Sequence, residues 1–229
     1  MIDWHSHILP QMDDGSKSVE ETLELLSMLS EQGISTVVAT PHFYADDESL
    51  ERFLERRRES FEKLRDALPE NAPRILLGAE VSYYSGVSRL EGLNKLCIEG
   101  TSLLLLEMPF ERWSESTISE IRGLAAQGTV TVILAHIERY IDMQSSNVFD
   151  DLRQYGVIMQ VNSSFFNRGK TKRKALKLLA NGGIQLIGSD THSVEHRPPT
   201  LDSAYNIIEK KFGSDIIYEM GGYGHFLLK

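Results

Sequence analysis

Cysteine is nearly absent from this 229-residue chain. Cys97 stands alone, so no internal disulfide can form, and a cytoplasmic location is the simplest expectation. No run of about 18 apolar residues occurs, so no membrane-spanning helix is expected. The first residues lack the basic-then-apolar pattern of a signal peptide. Positive charge is also scarce: 24 Lys and Arg face 33 Asp and Glu, for a formal net charge of −9. That balance disfavours a nucleic-acid partner, which needs a basic surface. One basic cluster runs the other way, at Lys170, Lys172, Arg173, Lys174 and Lys177. Its helical spacing suits a solvated face, and its functional reading is a docking patch for an acidic or phosphorylated partner. No repeat, low-complexity stretch or obvious linker divides the chain, so one domain over residues 1–229 is expected.

What is present is alternation. Ile2–Trp4, Ile34–Thr40, Arg74–Val81, Ser102–Glu107, Thr129–Ala135, Val157–Asn162 and Ile184–Gly188 are short runs rich in Val, Ile and Leu. Most are continuously apolar, as parallel strands covered on both faces are. Between them lie segments of helical period. Ser18-Val-Glu-Glu21 forms a capping box, with Gly33 at the matching C-terminal position. Ser49 opens a second helix. Further helices are expected at Ser114–Gln127, Asn147–Tyr155, Lys170–Asn181 and Thr200–Phe212, while Ser85–Glu99 fits no clear pattern. About seven strand–helix alternations imply an α/β fold with a parallel sheet. Closed, it would be a barrel one unit short of eight; an open doubly wound sheet is the alternative. No glycine-rich phosphate loop follows the first strand, which removes the usual nucleotide-binding reason for the open form.

The metal-capable side chains sort onto one end of these strands. His5, His7 and Asp14 follow the first strand, His42 the second. Glu80 and Glu107 end the third and fourth, His136 follows the fifth, and Asp190 and His192 follow the seventh. Strand C-termini converge on one mouth in barrel enzymes. Taken singly, each has an ordinary explanation: a satisfied histidine, a salt-bridge partner, or, for Asp13 and Asp14 beside Gly15, turn chemistry. Together they are four carboxylates that would repel without a cation. The oxygen- and imidazole-rich set suits Mn, Fe or Zn, and nine ligands are enough for two or three divalent ions. Such a centre would retain positive charge for a phosphate dianion.

The motifs "DWHSHILPQMDDGS", "TPHF", "GAEV", "HIERY" and "GSDTH" resemble the PHP (polymerase and histidinol phosphatase) superfamily. More narrowly, they resemble the bacterial manganese-dependent protein-tyrosine phosphatases of capsule and exopolysaccharide operons. The resemblance runs from Asp3 to Arg197. It implies a distorted seven-stranded (β/α)7 barrel of TIM type and a trinuclear metal centre, with manganese the first expectation. The ligands it implies are His5, His7, Asp14, His42, Glu80, Glu107, His136, Asp190 and His192. It also implies two phosphate-binding arginines, matched by Arg139 and Arg197; an acid for the leaving group, Asp14 or a histidine such as His42, is left open by the sequence. One departure is visible: Ile137 stands where the family usually has proline after the fifth-strand histidine.

The expected reaction is hydrolysis of a phosphotyrosine protein, a tyrosine autokinase tail controlling capsule synthesis. Alternatives are a histidinol-phosphate phosphatase, a nuclease-like role beside a polymerase, and a non-catalytic metal-stabilised module that binds a kinase tail. Cys97 is no thiol nucleophile on this reading, because Leu103 occupies the position where a cysteine phosphatase needs its arginine.

Overall fold

A computed structural model describes residues 1–145, 147–167 and 169–229. Nine strand segments are described: β1 (Ile2–Ser6), β2 (Thr36–Ala39), β3 (His42–Phe43), β4 (Arg74–Leu77), β5 (Glu80–Ser82), β6 (Leu103–Glu107), β7 (Thr131–Leu134), β8 (Ile158–Asn162) and β9 (Leu186–Gly188). The helices are α1 (Val19–Glu31), α2 (Leu50–Arg65), α3 (Glu115–Ala126), α4 (Val148–Gln154), α5 (Ser164–Asn167), α6 (Gly169–Ala180), α7 (Leu201–Phe212) and α8 (Asp215–Leu227). Every ladder is parallel, in the orders β1-β2-β4 and β3-β5-β6-β7-β8-β9. The α/β fold with a parallel sheet is therefore as expected.

Local chemistry explains the helix starts. Ser18, Ser49 and Ser114 each accept a backbone N–H three residues ahead. The capping box at α1 is displaced by one residue, because Glu21 reaches back to the N–H of Lys17. Gly33 takes φ +78° after α1, a left-handed conformation that glycine adopts without a Cβ clash.

The expected strand Arg74–Val81 is broken in two, and the strand expected at Ile34–Thr40 is followed by a short further segment, β3. Pro41 separates β2 from β3, and Gly78-Ala79 separates β4 from β5. Proline has no N–H to give the ladder. The backbone nonetheless stays paired across the break, with Gly78 N donating to Ala39 O at 2.8 Å and Glu80 N to Pro41 O at 3.0 Å. Pairing also returns from the last strand to the first. Asp190 N donates to His5 O at 2.7 Å, and His7 N to Thr191 O at 2.9 Å. The Ser85–Glu99 stretch resolves into two 3₁₀ turns, Val87–Arg89 and Leu93–Leu96.

Alternate residues of the strands feed two separate cores. Val37, Leu104, Leu106, Val132, Met159 and Ile187 pack outward with the helices. Val38, Leu103, Leu105, Ile133, Ile158 and Leu186 pack inward with Ile2 and Trp4. The continuous apolar runs thus have the predicted cause: both faces are covered. Helix α8 was not expected, since its Gly221, Gly222 and Gly224 disfavour a helix. Tertiary packing overrides that cost. A Cβ at Gly224 would lie 3.1 Å from the Trp4 ring, so the glycine lets α8 press against the inner core, where Leu227 and Leu228 also pack.

Among the described residues no helix is long and apolar enough to cross a membrane.

Candidate metal centre

The inner face changes character along each strand. Leu103 and Leu105 are apolar, and Glu107 follows on the same two-residue period. Ile158 is followed by Gln160 and Asn162, and Leu186 by Gly188 and Asp190. The C-terminal ends thus present a polar layer above an apolar one. His5 joins it because the β1–β2 register slips between Asp3 and Ser6. Gly188 makes room: a Cβ there would stand 2.5 Å from His5 Cβ. Gly15 does the same for His7, whose Cβ would be 2.6 Å from an added Cβ.

All nine side chains singled out from the sequence meet here. They fall into four overlapping groups with ligand atoms within 4.8 Å: His7, Asp14, His42 and His192; His5, His7 and Asp190; His5, Glu80 and His136; and His42, Glu80 and Glu107. Glu80, 1% exposed, is the hub. Its Oε2 lies 3.2 Å from His5 Nε2, 3.3 Å from His7 Nε2 and 3.1 Å from His42 Nδ1, and its Oε1 lies 2.8 Å from His136 Nε2. Two ligands about 2.1 Å from one ion and at right angles stand about 3 Å apart, which is the spacing seen. Glu107 completes the His136 side at 3.3 Å. Asp14, at the mouth, lies 3.4 Å from His192 Nε2 and 3.7 Å from His42 Nε2.

The donor set fits cations on its own chemistry. His7 Nδ1 is bound to Asp13 Oδ2 at 2.7 Å, a histidine–carboxylate pair that fixes the ring. The Nε2 of neutral His7 then faces His5 Nε2 at 3.1 Å, with Glu80 and Asp190 oxygens close by. Acceptor atoms therefore converge here, and only protons or cations shared among them satisfy them. His42 Nδ1 is buried and makes no hydrogen bond of acceptable geometry, although Glu80 is near. Protons would otherwise have to neutralise the cluster. Burial opposes protonation of His7, but its bonds to Asp13 and Glu80 prevail and raise it to about 10. At His136 burial is likewise outweighed by Glu107 and Glu80, raising it to about 9. His192 is lowered to about 4, by burial first and then by the neighbouring His7. Divalent ions would displace these protons.

Several supporting residues were not singled out by sequence. Asp13 was read only as turn chemistry; one oxygen does accept Gly15 N at 2.9 Å, but the other holds His7 and also accepts His42 N at 2.9 Å. Asp3 is buried and accepts Ser189 N and Oγ at 2.7 and 2.6 Å, tying β1 to the segment that carries Asp190. Gln160 accepts His136 N at 2.6 Å, and Asn162 donates to Asp190 Oδ2 at 2.7 Å. The residue types gave a usable signal only for Asp13 and Asp3, which flank the first histidine motif. His136 and Asp190 also take left-handed φ values of +31° and +53°, unusual for non-glycine residues and frequent at functional sites.

Arg139 and Arg197 reach the same oxygen. Arg139 Nη2 donates to Asp190 Oδ2 at 2.9 Å and Arg197 Nη2 at 2.5 Å. Arg139 Nη1 also bonds Glu107 at 3.3 Å, and Arg197 Nη1 bonds His192 Nε2 at 3.0 Å. Both guanidinium groups thus border the cluster. A cleft of about 560 Å³ opens beside it, lined by Asp14, His42, Tyr44, Asp47, Glu48 and Arg52.

A parallel α/β scaffold carries at its strand ends a convergent His- and carboxylate-rich layer, bordered by two arginines, whose four groups could each hold a metal ion. The chain belongs to the capsular polysaccharide synthesis family CpsB/CapC, whose model matches residues 1–221. It is 30% identical over 226 residues to the tyrosine-protein phosphatase CpsB of Streptococcus pneumoniae, covering 93% of this chain and 92% of that protein. It is also 30% identical to the tyrosine-protein phosphatase YwqE of Bacillus subtilis, covering 100% of this chain and 92% of YwqE. In three dimensions it matches a structure from work on YwqE and S. pneumoniae CpsB, described as unique metal-dependent tyrosine phosphatases. The TM-score is 0.85 at 26% identity, over 100% of this chain and 94% of the other.

Proposed function

We propose that this chain is a metal-dependent protein-tyrosine phosphatase of capsular polysaccharide synthesis, acting in the cytoplasm as a single domain over residues 1–229. The observation that carries this reading is the convergence of nine imidazole and carboxylate side chains beside two arginines, in a chain similar over almost its whole length to phosphatases of that kind. Its fold reads as the distorted seven-stranded barrel, with β2–β3 and β4–β5 each counted as one interrupted strand.

The four groups suit two or three divalent ions, manganese first given the absence of thiolate, with iron or zinc as alternatives. His5, His7, Asp14, His42, Glu80, Glu107, His136, Asp190 and His192 would hold them. Such ions supply Lewis-acid activation of water and charge neutralisation at phosphorus. The chain's own residues do the rest. Asp13 and Gln160 fix the His7 ring and the His136 backbone before substrate arrives. Arg139 and Arg197 exchange Asp190 for the phosphoryl oxygens, where a planar fork binds two oxygens at once. Asp14, 70% exposed at the mouth, and His42 beside it are the candidate acids for the departing oxygen in this reading, each able to give a proton only from an atom that is protonated and not held as a metal ligand. A tyrosyl leaving group, with a pKa of about 10, needs little of that help.

The substrate we favour is a phosphorylated tyrosine autokinase governing capsule synthesis. The test is hydrolysis of a phosphotyrosine peptide and of histidinol phosphate by metal-loaded and chelated protein. Turnover of the peptide that chelator abolishes and Mn²⁺ restores is the expected result. Preference for histidinol phosphate would move the protein to the small-molecule branch, and phosphopeptide binding without turnover would make it a binding module.

A further inference from the structure

The most uneven feature of the chain is its charge. From Leu152 to Ser189 there are seven of the 24 Lys and Arg and none of the 33 Asp and Glu. Most of these bases lie on α6, which follows β8 and the short α5. Lys174 of α6 pairs with Asp142, three residues beyond Arg139, so the first turns of the helix stand near the loop that carries that arginine. Lys172, Arg173 and Lys177, with Lys211 of α7, make no ion pair among the described residues. These four line a groove of about 460 Å³ whose apolar surface includes Leu176 and Phe212. The cleft at the metal centre has a mixed lining, with Asp13, Asp14, Asp47 and Glu48 beside Arg52 and Arg56.

We propose that the α6–α7 groove is a second binding surface that docks an acidic, apolar-studded segment of the polypeptide whose phosphotyrosine enters the metal centre. Charge complementarity selects the occupant. Four uncompensated bases on a protein of net charge −9 attract an acidic chain locally while the rest of the surface repels it. The groove has apolar surface that side chains of a peptide can fill, which a free phosphate or a nucleic-acid backbone would leave unused. The identity of the docked chain as substrate rests on the phosphatase reading; the docking itself does not.

The test separates the two. A fluorescent peptide of alternating Glu and Leu, lacking phosphotyrosine, is titrated onto the full chain at low ionic strength and followed by anisotropy. Saturable binding is expected, weakened roughly tenfold by Lys172→Glu with Lys177→Glu and severalfold by Phe212→Ala, and weakened by salt. Turnover of p-nitrophenyl phosphate should be unchanged in these variants, which also reports that they fold. The same peptide joined by a flexible linker to phosphotyrosine should show a KM roughly tenfold below that of the phosphotyrosine peptide alone, with equal kcat, and the double variant should erase the difference. Binding that survives the double variant overturns the proposal, as does binding equally strong for a Glu–Ser peptide and indifferent to Phe212→Ala. So does a groove whose charge reversal abolishes only attachment to phosphatidylglycerol vesicles, or only self-association of the protein. If no phosphotyrosine substrate is hydrolysed at all, the phosphatase reading fails while the anisotropy result stands.

Discussion

The same strands serve two purposes at their two ends. On the inner face, Leu103 and Leu105 of β6 are 3% and 0% exposed and pack with Ile133, Ile158 and Trp4. One period further, Glu107 faces His136 and Arg139. On β8, Ile158 packs in the lower layer, and Asn162 holds Asp190 in the upper one. Below, burial of apolar surface stabilises the fold. Above, buried carboxylates and imidazoles oppose it unless cations or protons satisfy them. A scaffold able to hold an unfavourable upper layer needs a well-packed lower one.

Four perturbations break or sharpen that contrast. Removing divalent ions should have the largest effect: thorough chelation should abolish phosphatase activity, and Mn²⁺ should restore it best. Full turnover in excess chelator would contradict a metal centre in the upper layer. Next come the arginines. Arg139→Ala or Arg197→Ala should weaken transition-state stabilisation by about 2–4 kcal/mol and leave metal content unaltered, since a guanidinium cannot ligate a cation. His136→Ala, three residues from Arg139, should instead lower metal occupancy; elemental analysis alongside phosphotyrosine kinetics distinguishes the two roles.

In the lower layer, Leu105→Ala should destabilise the fold by about 2–5 kcal/mol, as a buried leucine truncation does, with little change in turnover per folded molecule. Denaturant titration and active-site-normalised rates check this, and a loss of turnover matching an upper-layer variant would dissolve the distinction. The smallest effect is expected at Cys97, buried and outside the centre. Burial pushes its thiol up to about 11. The reactive thiolate is therefore about one part in a thousand at pH 8 and grows only as pH rises toward that value. Cys97→Ser should retain near-normal activity, and iodoacetamide should label the native protein slowly at pH 8. Loss of activity by two orders of magnitude with an intact fold would point back to a thiol nucleophile.

The lower layer was legible in sequence because its signal is local. Continuous Val, Ile and Leu runs mark strands covered on both faces, and the serine caps mark where helices begin. The positions of the metal-capable residues were legible for a related reason: all but Asp14, which lies in the loop after β1, sit at or just past the end of an apolar run, and strand ends in a parallel α/β protein face one way. The partners of that layer were harder to see. Gln160 and Asn162 read as ordinary polar ends of a strand, and only the pairing of distant strands brings them against His136 and Asp190. Helix α8 escaped for the opposite reason, since its glycines argue locally against a helix and make sense only against Trp4.

The sequence by itself determined the order of strands and helices, the chemical types gathered at the strand ends, and the charge bias of residues 152–189, because periodicity, capping and composition act within a few residues. Tertiary structure alone decided that Glu80 is the hub of four histidines, that Asp13 orients His7, and that both arginines converge on Asp190. Those are contacts between residues tens of positions apart or across a short turn. Their geometry depends on the twist, register slip and breaks of the sheet, which no local pattern specifies.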